Sequence, residues 1–116
     1  TRGRKNCSDL GFCLREKMQI PRGERYELCR SVHAEANAII HASRADMIGG
    51  TLYLVGVDAH TGDLVSDANP CAMCKRLIIN AGISRVVIRN TSDSFTAAYV
   101  QEWIEQDGSL NGECGY

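Results

Sequence analysis

Residues 70–89 read PCAMCKRLIINAGISRVVIR, and their order decides what kind of chain this is. Pro70 stands where a helix can begin, because its fixed φ suits a first turn and its missing N–H has no partner to lose there. Met73, Leu77, Ile78 and Ala81 then recur at helical spacing over residues 71–81, and Gly82 supplies a stop. Just beyond, Arg85–Arg89 (RVVIR) has the short β-branched character of a buried strand. Upstream, Thr51–Val57 (TLYLVGV) is a second such run, held between Gly50 and the turn-forming DAHTGD of residues 58–63. Strand, helix and strand in this order predict two parallel neighbours joined by a right-handed crossover, within an α/β layering.

Working outward, residues 32–46 carry Ala34, Ala36, Ala38, Ile39, Ala42 and Ala45, which combine helix propensity with an apolar stripe that Gly49-Gly50 ends. They predict one helix. Residues 58–69 read as a polar loop, and residues 95–105 as an amphipathic helix through Phe95, Ala98, Tyr99 and Trp103. Residues 1–30 are rich in Gly, Arg and Lys and are broken by Pro21 and Gly23, so they read as loop with one short helical piece. The division expected is a single domain: a substrate-side loop region at 1–31, a metal-binding α/β core at 32–106 and an irregular tail at 107–116. Two strands cannot bury both faces and edges of a sheet, so another strand must come from residues read as loop, from a partner chain or from sequence outside this one.

A chain of 116 residues, 44% hydrophobic and 23% charged, suits one core and excludes two domains. No run approaches the ~18 apolar residues of a membrane span, and the basic residues 1–6 have no apolar stretch behind them. The default location is therefore the cytoplasm. The net charge of −1 hides an asymmetry: residues 1–30 hold eight Lys/Arg against four Asp/Glu, the remainder five against ten. A small basic arm on an acidic body suits one or a few phosphates better than a polyanion, so a nucleotide fits better than nucleic acid; solvated loop charges are the equally weighted alternative. Six cysteines, about 5% of the chain, fall short of the ~8–10% of a disulfide scaffold and turn suspicion to metal.

Two motifs stand at the starts of the two best helices, His33-Ala34-Glu35 and Pro70-Cys71-Ala72-Met73-Cys74. Cys71 and Cys74 are about 60° apart around a helix, so both sulfurs can address one atom, and a helix N-terminus favours thiolate. One imidazole and two thiolates would leave a tetrahedral Zn²⁺ with an open fourth position, as catalytic sites have. Such an ion brings the pKa of bound water from ~15.7 towards ~7. Glu35 lies about 200° from His33 on a regular helix, so it should not be a ligand on the same face; leaning in from the loop-to-helix junction, it could serve as base and then acid.

His-x-Glu with Pro-Cys-x-x-Cys is the signature of zinc-dependent nucleobase deaminases. Residues 29–39, CRSVHAEANAI, resemble the CxRxxHAExNAI segment of deoxycytidylate deaminases within the cytidine deaminase superfamily, and residues 82–87, GISRVV, resemble the strand after that family's Cys helix. The likeness spans most of residues 1–90 and fades after Asn90. It implies a three-layer α/β/α fold with a mixed sheet, the family's N-terminal helix and first strands preceding the point where this chain begins. It implies one catalytic zinc on His33, Cys71 and Cys74, and Glu35 as proton shuttle for hydroxide attack at C4 of a cytosine nucleotide, dCMP to dUMP foremost. Ala34 and Asn37 become candidates for substrate contact. Residues 3–7, GRKNC, resemble the end of the loop near sugar and phosphate, which points to Arg2 and Arg4 for phosphate. The aromatic residue the family carries after that strand is replaced by Asn90-Thr91-Ser92-Asp93-Ser94, leaving Tyr99 to supply a ring if its helix turns it inward. A homo-oligomer is also implied.

Other readings stay open at this stage. A bare C-x-x-C could be a buried or redox pair, but the HAE and the proline favour zinc. Cys7, Cys13 and Cys29 could hold a second, structural zinc, although separated cysteines are more often free thiols. Arg30 could orient a phosphate or form an ordinary ion pair, His41 and His60 read as surface residues, and Phe95, Tyr99 and Trp103 as core or interface. The zinc apparatus does not fix the ring, so tRNA adenosine, guanine, or a pterin or riboflavin precursor are alternative substrates. A non-catalytic zinc module or regulatory subunit is the alternative class.

Overall fold

The computed structural model describes residues 3–113. In chain order the elements are α1 (Cys7–Leu10), α2 (Leu14–Lys17), a 3-10 turn (Tyr26–Leu28), α3 (Ala34–Ile40), α4 (Arg44–Met47), β1 (Thr51–Val57), β2 (Leu64–Val65), α5 (Ala72–Ala81), β3 (Arg85–Arg89), β4 (Phe95–Tyr99), α6 (Val100–Glu105) and a second 3-10 turn (Ser109–Asn111). The β1, α5 and β3 bounds follow the sequence reading closely. The strands form one mixed sheet in the order β2-β1-β3-β4. β1 and β3 are parallel, with Thr51 opposite Arg85 and Val55 opposite Arg89. β2 and β4 pair antiparallel at the two sides. The α/β class and the mixed sheet agree with the sequence reading.

α5 organises the core. Ile78 and Ala81 on its inner face meet Ile83, Val86, Ile88 and Val100, all buried, while Ile39, Met47, Leu52, Leu54, Ala98 and Trp103 pack around them. Ile78, Val86 and Ile88 are almost completely removed from solvent, and each such side chain contributes roughly 1.5–3 kcal/mol of transfer free energy. The helix ends at Gly82, whose φ of 81° lies in the left-handed region; a Cβ there would stand 3.0 Å from Ile48 Cγ1. The Gly82 carbonyl accepts from Gly49 N–H at 2.8 Å, which ties the end of α5 to the turn that launches β1.

Several expectations are corrected. Residues 32–46 are two helices, not one: α3 stops at Ile40, and Ser43 starts α4 by accepting the Asp46 N–H. A serine three residues before an aspartate is an N-cap signal that interrupts the alanine-rich pattern. Residues 95–105 begin as a strand, because Asn90 and Ser94 close a tight turn (N–H to O, 3.0 Å) that lays Phe95–Tyr99 against β3; only Val100–Glu105 is helical. Pairing with a buried neighbour overrides the helical spacing of Phe95, Tyr99 and Trp103. The polar loop 58–69 contains the two-residue β2, positioned by Asp58, whose carboxylate accepts from His60 and Thr61 N–H and is thereby held below its usual pKa. The first 30 residues hold two short helices and a 3-10 turn rather than one helical piece, the first being closed by a reciprocal Asn6–Asp9 capping box. Two strands of the sheet, β2 and β4, thus come from residues read as loop and as helix.

β1 is buried on one face only. Leu52 and Leu54 face the helices, whereas Tyr53 is 72% exposed and Val55 and Val57 about half exposed. Cross-strand register continues that open face through Val87 and Ala97 beside Tyr53, and through Arg89 and Phe95 beside Val55. The helical layer of the described residues lies on the other side, so stability should be one-sided. Replacing Ile88 by Ala is expected to lower the unfolding free energy by about 2–5 kcal/mol, while Tyr53→Ala changes it by less than about 1 kcal/mol. Urea denaturation of the two variants checks this.

Candidate active site

α3 and α5 pack against each other with their N-termini together, and this brings the two motifs into contact. His33 is the N-cap of α3, with extended backbone (φ −61°, ψ 146°), and Cys71 is the N-cap of α5 (φ −69°, ψ 166°). Cys74, one turn into α5, is fully buried. His33 Nδ1 lies 3.6 Å from Cys71 Sγ and 3.4 Å from Cys74 Sγ, and donor atoms of all three residues fall within 4.8 Å of one another. Nitrogen and sulfur bound to one tetrahedral zinc at ~2.1 and ~2.3 Å would be about 3.6 Å apart, so the spacing fits that ion.

Glu35 completes the group. Because His33 is outside the helix, the 200° separation of a regular helix does not apply, and Glu35 in the first turn of α3 reaches the same place: the Cys74 thiol donates to its Oε2 at 3.8 Å. Burial pushes the Cys74 thiol up to about 12, and the Glu35 charge and Cys71 add to the rise. Two sulfurs and a carboxylate crowded at a buried point are electrostatically costly by themselves, and a divalent cation reverses the sign of that cost. The donor set therefore suits Zn²⁺ on chemical as well as geometric grounds.

A model of the cytidine and deoxycytidylate deaminase zinc-binding region matches residues 5–90. The chain belongs to this family. It is 42% identical over 59 residues to the deoxycytidylate deaminase of Mycobacterium phage D29, an alignment covering 51% of this chain and 37% of the relative. It is 31% identical over 102 residues to the deoxycytidylate deaminase of Schizosaccharomyces pombe, covering 86% of this chain and 28% of that one. The chain thus spans well under half the length of these curated relatives. No solved structure gives a significant match. No helix among the described residues is long and apolar enough to cross a membrane.

The other predicted site residues fall in different places. Ala34 is exposed on the first turn of α3. Asn37 lines a small cavity of about 150 Å³ with Asn6, Ser31 and Val32, which joins α3 to the N-terminal loop. Arg4 is exposed on that loop, and Arg2 lies outside the described residues. Tyr99 does not reach the site: it ends β4 opposite Arg85, on the sheet face turned away from α3 and α5, because residue 99 is the last of a strand and not part of a helix. Arg30 donates to the Lys5 carbonyl at 2.8 Å and so anchors the loop. Cys7 and Cys13 are hydrogen-bonded neighbours, and a bond from Ser31 is the main cause that lowers the Cys7 thiol. Among the described residues, Cys7, Cys13 and Cys29 do not form a three-donor metal group.

Sequence reasoning passed over Tyr26. Its ring meets the His33 imidazole edge-on, with centroids 5.3 Å apart and planes at 89°. The two stand seven positions apart across an irregular loop, and no periodicity links them.

Purified protein is expected to carry about one zinc per chain, and Cys74→Ala almost none. Because the ligands must lose protons to bind, zinc affinity should fall steadily as pH is lowered. Metal analysis and chelator competition across pH measure both.

Proposed function

We propose that this domain deaminates a cytosine nucleotide hydrolytically, dCMP foremost, with His33, Cys71 and Cys74 holding one zinc. The observation that carries the reading is the convergence of His33 Nδ1, the two sulfurs and Glu35 Oε2 at the paired N-termini of α3 and α5. Zinc, when bound, supplies the Lewis acidity that readies water for attack at C4. Overall, water is consumed, the C4 amino group leaves as ammonia and a uracil nucleotide remains.

Glu35 is the proton carrier in this scheme. Its carboxylate sits beside the metal donors without being counted among them, so it can accept a proton from the attacking water and return it to the departing nitrogen. The partly enclosed position beside Cys74 keeps it close to the reacting atoms. Asn37 lines a cavity beside the N-terminal loop, and Arg4 with Arg2 gives that loop the positive charge that a 5′-phosphate would use. The names of the two curated relatives support deoxycytidylate as the first substrate to test.

Replacing Glu35 by Gln is expected to leave zinc content unchanged and to cut turnover by about 10²–10⁴-fold. Ammonia release is measured with dCMP, CMP, deoxycytidine, guanine and adenosine on one preparation of known zinc content. Activity on dCMP above deoxycytidine supports the nucleotide reading. Activity on guanine or adenosine alone overturns it, and zinc binding with no turnover of any compound points to a non-catalytic module.

A further inference from the structure

The His33 imidazole has an orientation problem that its own element does not solve. As an N-cap with extended backbone it lies outside the helical ladder, and the hydrogen-bonding contacts of its ring among the described residues run from Nδ1 to the two sulfurs. A metal-binding imidazole is ordinarily held by a partner on its far side, and loss of that partner weakens the site. Here the neighbour is an aromatic ring. Tyr26 meets His33 at 5.3 Å in a perpendicular arrangement, within the preferred range for aromatic pairs.

Tyr26 is itself clamped. The Arg15 guanidinium lies over its ring, 4.4 Å from the centroid. That guanidinium also donates from Nε to the Glu24 carbonyl at 2.8 Å and from Nη2 to the Pro21 carbonyl at 3.1 Å, so it cannot swing away without releasing the 21–24 loop. The backbone turns sharply just before the tyrosine: Arg25 is left-handed, φ 52° and ψ 45°, a conformation rarely held by a side chain with a Cβ. This turn immediately precedes Tyr26, whose ring meets His33.

The geometry points to Tyr26, clamped by Arg15, as a positioning residue that fixes the His33 ring with Nδ1 toward Cys71 and Cys74. The inference rests on the reading of these three residues as metal ligands. It makes the loop between α2 and α3 part of the metal centre, although none of its residues is a donor. The half-buried Tyr26 and Arg15 form a continuous chain of contacts from α2 to the imidazole.

The test is metal binding itself, read by chelator competition and by the visible spectrum of the cobalt-substituted protein. Tyr26→Ala is expected to weaken zinc binding by about 10–100-fold and to alter the cobalt bands, while Tyr26→Phe, which keeps the ring, restores both. Arg15→Gln should shift affinity in the same direction by a smaller factor. The metal-free Tyr26→Ala protein should melt at the wild-type temperature, which separates positioning of a ligand from general packing. Wild-type affinity and an unchanged cobalt spectrum in Tyr26→Ala overturn the inference, as does failure of Phe to restore them. If Tyr26→Ala does not fold, Arg15→Gln decides, and unaltered affinity there overturns it. A wild-type protein that takes up no zinc would instead overturn the reading of the centre, a distinct result.

Discussion

Ile78 and Cys74 sit four residues apart on α5, both without solvent exposure, and the seating of this one helix on the sheet underlies the rest of the molecule. Ile78 is pressed among Val86, Ile88 and Ile83, so the axis of α5 is set by the apolar core. Once the axis is set, Cys74 faces inward one turn earlier, toward α3, with Cys71 at the cap beside it. The same burial that stabilises the fold therefore decides where two of the three metal donors stand. Gly82 fixes the other end, since its left-handed turn and its bond to Gly49 connect the helix to both parallel strands.

The site is a meeting of two helix starts more than a cavity carved into the sheet. Neither motif has a complete donor set: one brings an imidazole and a carboxylate, the other two sulfurs. Contact between α3 and α5 brings the four groups together, and burial beside the Glu35 carboxylate disfavours the Cys74 thiolate, a cost that a bound divalent cation would offset. A cavity of about 610 Å³ on the open sheet face between Tyr53 and Phe95 lies away from these groups.

Much of this was legible from residue order. The β1 and β3 strands and the intervening α5 were readable because a buried parallel strand is a short apolar run and because proline and glycine bracket the helix. The corrections share one cause: local pattern loses to a competing contact. Ser43 captured the Asp46 N–H and split an alanine-rich helix, and the Asn90–Ser94 turn drew Phe95–Tyr99 into the sheet although their spacing also suits a helix. The same event put Tyr99 at the end of β4, opposite Arg85 and away from the His33–Cys71–Cys74 group.

The chain of residues determined by itself which chemistry is available, for imidazole, thiolates and carboxylate at helix starts are a matter of residue type and short-range spacing. It also determined the parallel β1–β3 pair, because the connection between them admits one hand. Only the tertiary structure decided that His33 stands outside its helix, that Glu35 consequently reaches Cys74, and that Tyr26 and Arg15 brace the imidazole from a loop. Those arrangements depend on side chains from separate elements meeting in space, and no periodicity along the chain encodes the distance between elements.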